Sequence, residues 1–269
     1  MKKLRLLTVS ILVALSALAG LYAQELTGEE IIRLAHEIPE PDSSSVKAKL
    51  LIHSKKGTEK TREVIMKSKN YGDVTKEVIV FTSPKDVSGV GYLMFNYEEQ
   101  EDGSKKDSEN WLYMPALKKV KRIASSGTEA EGNFMGTDFT YEDMGDRSIS
   151  KDTYTLLGEE YAGGVKCWKI KCVSIEHTES DPERVVYIGQ DDYLLYRCEF
   201  YDRHGALHRV LECSEIEYID SYPCTKVMKM QNVQSGSWSM ITMSDVQYNT
   251  GAIDDSVFTV SALEQGRIR

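Results

Sequence analysis

The sequence predicts a mainly β domain with few helices. Period-two runs recur from Val46 to Tyr248, parted by turn residues roughly every dozen residues. Only one stretch, Ile31, Leu34, Ala35 and Ile38, shows a clear helical face. The strand signals follow one another with no helical pattern between them, which argues a meander, a barrel or a sandwich rather than βαβ units. Of 269 residues, 41% are hydrophobic and 28% charged, an ordinary globular balance. Residues 24–269 read as a single domain with no internal repeat or low-complexity tract.

Residues 1–23 read as a signal peptide. Lys2, Lys3 and Arg5 precede an uncharged apolar run from Leu6 to Leu21, and Ala23 supplies the small residue before a cut at Gln24. An uncleaved anchor is the alternative, but the run lies near the short limit of ~17–25 residues for a spanning helix. No cysteine adjoins the cut, so lipidation is not expected. Cleavage would remove three basic residues and none of the 42 acidic ones, taking the formal charge from −9 to −12. Such a chain is a poor nucleic-acid binder, because phosphate affinity comes largely from Lys and Arg contacts.

The mature chain opens on Thr27-Gly28-Glu29-Glu30, a capping box, and its helix stops before Pro39 and Pro41. Val46, Ala48, Leu50 and Ile52 then share one strand face, with Lys47 and Lys49 on the other. Val64 and Met66 carry the next strand. Val78-Ile79-Val80-Phe81 is apolar at every position, so both its faces should be covered. Leu93 and Phe95 share a side of the strand Gly91–Tyr97, and Glu98–Glu109 is a charged loop. Trp111–Met114 is a short strand stopped by Pro115. Past residue 144, strands are expected over Tyr154–Tyr161, Val165–Val173, Val185–Ile188, Leu194–Asp202, Ala206–Ile219, Cys224–Val233 and Ser237–Tyr248. Asp254–Phe258 reads as a final short turn.

The five cysteines, Cys167, Cys172, Cys198, Cys213 and Cys224, offer no ready disulfide framework, and buried apolar thiols are expected. Phosphate loops, G-x-S-x-G elbows and H-E-x-x-H motifs are absent from the sequence, so neither a cofactor nor a catalytic residue is expected. His204 and His208, with Cys198 or Cys213, could hold a metal, but ordinary surface histidines are the simpler reading. Asp138, Glu142, Asp143 and Asp146 match no EF-hand spacing and are better explained by bonds to loop backbone.

The segment that fits neither period, Phe134–Met144, lies within the stretch Trp111–Met144. A basic run, Lys118-Lys119-Val120-Lys121-Arg122, follows its opening strand. Phe134-Met135-Gly136-Thr137-Asp138-Phe139-Thr140-Tyr141-Glu142-Asp143-Met144 then interleaves aromatics and methionines with carboxylates. That much apolar surface must be buried or offered to a ligand. The order W-L-Y-x-P-A-L-K-K-V-K-R-I, then F-M-G-T-D-F-T-Y-E-D, resembles the outer-membrane lipoprotein-sorting protein family of LolA/LolB-like periplasmic carriers. Pro84–Gly89 and Phe258–Arg267 match it more weakly.

The resemblance implies a strongly curved antiparallel sheet, an unclosed half-barrel, covered on its concave face by helices and loops. It implies acyl chains of lipids or lipoproteins as ligand. Together with the apolar strand faces it nominates Leu50, Ile52, Val64, Met66, Leu93, Phe95, Trp111, Phe134, Met135, Phe139 and Tyr141 as lipid-binding residues. Lys118, Lys119, Lys121 and Arg122 are candidates for docking on anionic headgroups or a transporter. The partners expected are a membrane transporter as donor and an outer-membrane acceptor, with the carrier a periplasmic monomer. A sensor or scaffold of similar fold, binding a protein partner in envelope stress, is the alternative.

Overall fold

The computed structural model describes residues 26–100, 104–251 and 253–266. The expected signal peptide lies outside the described residues.

Helix α1 (Gly28–His36) begins as its sequence dictates. The Thr27 hydroxyl accepts from the Glu30 amide at 3.2 Å, and the Glu30 carboxylate accepts from the Thr27 amide at 2.7 Å. Thirteen strands then follow: β1 (Ser43–His53), β2 (Glu59–Asn70), β3 (Val74–Ser83), β4 (Gly91–Tyr97), β5 (Glu109–Met114), β6 (Lys119–Ile123), β7 (Asp152–Ala162), β8 (Val165–Ser174), β9 (Glu183–Gly189), β10 (Leu195–Tyr201), β11 (Leu207–Ile219), β12 (Tyr222–Asn232) and β13 (Trp238–Tyr248). Two short helices complete the set, α2 (Gly127–Ala130) and α3 (Val260–Gln265). The period-two signal thus reads true. Tight turns sit where glycine permits them, as at Gly163 and Gly164, both left-handed at φ 59° and 86°.

All thirteen strands form one antiparallel sheet that does not close into a barrel, in the order β6-β5-β4-β3-β2-β1-β13-β12-β11-β10-β9-β8-β7. The chain meanders outward from β1 to one edge, crosses to the opposite edge, and meanders back until β13 pairs with β1. The crossing is residues 124–151, here termed the strap. This explains the aperiodic stretch: β6 and β7 are opposite edges of the sheet, so the segment joining them must span its concave face.

The concave face carries the largest core cluster. Ala48, Leu50, Val64, Ile79, Phe81, Tyr92 and Leu112 from the sheet meet Phe134 and Phe139 from the strap. Phe134 lies among the rings of Phe81, Tyr92 and Tyr141, at centroid distances of 6.1, 5.3 and 5.4 Å. At the other end of the same face, α1 packs Ile31 and Ile32 onto Ile170, Cys172 and Ile188. The expected helical stripe shifts accordingly: Ile32 is buried while Leu34 is only half-buried, and Ile38 lies beyond the helix end.

The C-terminal segment covers the convex face over β3–β6. Val78 and Leu93 are fully buried against Val257, Phe258, Ala262 and Leu263. A Cβ at Gly91 would stand 2.5 Å from Leu263 Cδ2, so the close seating of α3 requires that glycine. Residues 78–81 are therefore covered on both faces, as their composition demands. All five cysteines are buried and unpaired, and burial pushes the thiols of Cys172 and Cys213 up to about 12.

Candidate functional site: a groove on the concave face

Between α1 and the strap the concave face is left uncovered over β10–β12, forming an open groove of about 1490 Å³. Its floor follows from strand register. Ile52, Ser239, Met230, Leu211, Cys198, Val186, Ile170 and Leu156 pair successively across eight strands and face one way. Seven of these eight are apolar, giving a continuous stripe across the sheet. Met230, Leu211, Cys198 and Val186 line the groove itself, joined by Phe200 and Met228.

One register step along the strands the floor turns polar. Asn232, Arg209, Phe200, Arg184, Cys172 and Tyr154 form the next row. Both of its arginines are neutralised, Arg184 by edge strand β7 and Arg209 by the strap and the β8–β9 loop. Arg184 pairs with Asp152, which also accepts from Arg147 at 2.8 Å. Arg209, 7% exposed, stacks 4.4 Å over the Phe200 ring and donates from Nε to Asp181 at 2.9 Å and from its Nη atoms to Asp143 of the strap. Asp138 fastens the strap a second time, accepting from Ser239 at 2.8 Å and Ser237 at 2.5 Å. Arg62 makes a third tie, donating to the Met135 carbonyl. Asp138 and Asp143 of the strap therefore act as anchors through side chains of the sheet, and of the expected bonds to loop backbone only that from the Thr140 amide to Asp143, at 2.7 Å, is present among the described residues. Among the described residues no cluster of metal-ligating side chains exists. His208 instead bonds Asp181 at 2.6 Å and Asn232 at 3.1 Å.

The opposite end of the concave face carries a polar ledge. Ser44, Ser68, Glu77, Met94 and Asn110 pair successively from β1 to β5, and Asn70, Thr75 and Asn96 form the row beside them. A pocket of about 140 Å³ lies between this ledge and the strap, lined in part by Met94, Asn96, Asn110 and Tyr141. Both spaces touch the strap from Glu142 to Ser148.

The candidate lipid-binding residues fall into three groups. Leu50, Val64 and Phe134 are buried in the concave core, with Met66, Met135 and Tyr141 packed against it, and Ile52 is buried at the start of the apolar stripe. Phe139 is the one candidate that lines the groove. Leu93, Phe95 and Trp111 lie on the convex face beneath α3, away from the groove, because strand alternation points them opposite to Tyr92, Met94 and Leu112. Leu211, Met228, Met230, Val186 and Phe200 also line the groove, and no sequence motif marks them. Period two gives them a face, but only the sheet order shows which faces remain uncovered.

The four basic candidates do not share a face. Lys119 and Lys121 alternate with Arg122 along edge strand β6, and Lys118 sits in the preceding turn at φ 48°. Lys121 pairs with Glu129, and Arg122 with Glu109 at 3.3 Å.

A family model described as "Uncharacterized protein" matches residues 73–265. No curated protein matches the sequence. Among solved structures, an outer membrane lipoprotein-sorting protein domain from Vibrio parahaemolyticus superposes with a TM-score of 0.78 at 29% identity, covering 88% of this chain and 98% of that one. A DUF1329 family protein from Desulfovibrio piger gives 0.79 at 28% identity, covering 88% and 97%. A LolA superfamily protein from Nitrosomonas europaea gives 0.64 at 19% identity, covering 88% and 99%, a likeness of fold. The chain belongs to the family whose model matches residues 73–265, and its unclosed, covered sheet has the LolA-like fold of the outer-membrane lipoprotein-sorting and DUF1329 structures it resembles.

Proposed function

We propose that this protein is a periplasmic, non-catalytic carrier that holds the acyl chains of lipoproteins or other lipids in the groove and delivers them between membranes. The apolar stripe from Met230 to Leu156, continued under an open groove of about 1490 Å³, carries this reading. The space exceeds the ~300–1,000 Å³ usual for drug-sized ligands. Each methylene moved from water into it contributes about 0.8 kcal/mol, so a few chains bind firmly without any covalent step. Release then needs a competing acceptor or movement of the cover. The name of the Vibrio neighbour, a lipoprotein-sorting domain, supports lipoprotein as cargo. The basic residues Lys118, Lys119, Lys121 and Arg122 are proposed to dock the carrier on an anionic donor surface, and residues 1–23 to direct its export.

The test is direct. Organic extraction of the purified protein should yield bound lipid, and a fluorescent fatty acid should bind saturably and be displaced by added lipid. Dry protein with no saturable probe binding overturns the proposal.

A further inference from the structure

Among the described residues, three buried side-chain polar atoms have no hydrogen-bond partner: the Tyr92 hydroxyl, Asn96 Oδ1 and Asn110 Oδ1. All three lie on adjacent strands β4 and β5 and on one face. Met94 stands directly opposite Asn110, which makes Asn96 and Asn110 diagonal neighbours. Asn96 is 6% exposed and Asn110 7%, and both line the 140 Å³ pocket under the strap. A buried amide left without a partner destabilises a fold, and most buried polar atoms in native proteins are paired. Two such amides lining one space are not accounted for by stability.

The donor and acceptor inventory narrows what could fill the space. A carboxamide oxygen only accepts, so its partner must donate; the NH₂ beside it only donates, so its partner must also accept. A hydroxyl does both. A bare metal cation accepts no hydrogen bond, and an ionised phosphate offers acceptors without donors. Ser108, Ser125 and Ser150 add uncharged hydroxyls to the wall, and its charged members nearly balance, with Lys105, Lys106, Arg147 and Lys151 against Asp107, Glu142 and Asp146. At 140 Å³ the pocket is several times the ~30 Å³ share of one water and well below the ~300 Å³ of a drug-sized site. That suits a small polar group rather than a whole lipid. The pocket adjoins the groove along Glu142–Ser148, so a molecule with its chains on the apolar stripe can place its polar end here.

We infer that the Asn96–Asn110 pocket is a headgroup subsite that takes a neutral, hydroxyl-bearing polar end, such as glycerol or a sugar, of an acyl lipid held in the groove. This rests on the carrier reading above. Glu77, which faces Met94 across the ladder, fits the same chemistry. Burial, reinforced by Asp146 and Glu40, pushes its carboxyl up to about 8, so at neutral pH it is an uncharged donor and acceptor.

The experiment compares lipids that share one chain. Bound fluorescent fatty acid is displaced with monooleoylglycerol, methyl oleate or oleoyl lysophosphatidate, in the native chain and in the variants Asn96→Leu and Asn110→Leu. The native protein should prefer monooleoylglycerol to methyl oleate about tenfold, the effect of one or two well-made hydrogen bonds. Either variant should lose that preference, still bind methyl oleate, and melt no lower than the native protein, since leucine needs no partner. Equal displacement by all three lipids, preference for the charged lysophosphatidate, or a preference that survives in both variants overturns the subsite. Saturation by free glycerol without any chain would make it a soluble-polyol site and overturn the headgroup assignment. Saturable chain binding without headgroup discrimination defeats only the subsite; no saturable binding of any chain defeats the carrier reading and the subsite with it.

Discussion

Arg209 on β11 and Asp143 on the strap form a two-pronged ion pair in the wall of the groove, the longer prong 3.4 Å, with both side chains largely withdrawn from water. Asp181 occupies the third donor of the same guanidinium. One side chain thus holds two segments that connect different parts of the sheet.

Arg209→Met should be severely destabilising. It leaves the Asp143 and Asp181 carboxylates buried without their guanidinium, a situation that costs about 3–5 kcal/mol. Asp143→Asn keeps the Arg209–Asp181 pair and should cost clearly less. Urea midpoints of the two variants check the order, and equal losses would show that the strap tie is not the reason.

The two phenylalanines of the strap should behave differently. Phe134 is enclosed by three rings and 1% exposed, so Phe134→Ala should cost about 3–5 kcal/mol. Phe139 also lines the groove, so on the proposed carrier function part of its surface would meet cargo instead of core. Phe139→Ala should cost less stability and speed lipid loss more than it lowers the denaturant midpoint. A stability loss matching that of Phe134→Ala, with an unchanged lipid off-rate, would make Phe139 a plain core residue.

Replacing Lys118, Lys119, Lys121 and Arg122 together with Gln should leave the melting temperature nearly unchanged. Their ion pairs are exposed, at 56% for Lys121 and 67% for Arg122, and such pairs contribute little. Binding to anionic vesicles should weaken, most at low salt. Steep melting loss with intact vesicle binding would assign the run to folding.

Glu77 sets a pH dependence with a definite sign. Its carboxyl, pushed up to about 8 by burial and by Asp146 and Glu40, stays protonated in the folded chain while the unfolded chain ionises near 4.5. The folded state then binds the extra proton. The stabilisation is fully present below about pH 4.5 and is lost as pH rises through about 8, at no more than ~1.4 kcal/mol per pH unit. Glu77→Gln should flatten that slope, equalling the native protein in acid and exceeding it at pH 8. Parallel stability profiles would remove Glu77 from this role.

Much of the fold could be read from the residues. The capping box at Thr27 forms, the both-faces-apolar run at Val78–Phe81 is covered on both faces, and the strands fall where alternation puts them, except β6, which the sequence marks only as a basic run. The groove could not be read in the same way. Alternation separates Leu93 from Tyr92 but does not say which of the two faces is convex, so the sequence does not tell that Leu93, Phe95 and Trp111 lie beneath α3, on the face away from the groove. Helix α3, which settles the matter, is only six residues long and leaves a weak periodic signal. The lining of β9–β12 became apparent only from the order of strands in the sheet, since Leu211 and Val186 carry no local mark of a ligand surface. Nothing in the local sequence marks Asn96 and Asn110 either, because a missing hydrogen bond is a property of surroundings.

The pairing of β1 with β13 has one further consequence. Ser44 meets Tyr248 there, the first strand zipping to the last. Every other ladder joins neighbours in sequence, so the sheet consists of two local hairpin meanders and a single seam. Contacts so distant along the chain must overcome a large loop-closure entropy before they return any energy, which makes the seam slow to form. The polar ledge from Ser44 to Asn110 belongs to one meander, and the apolar stripe from Met230 to Leu156 to the other. Ledge and stripe are therefore assembled on separate halves, and they belong to one concave face only after the two ends of the chain have found each other.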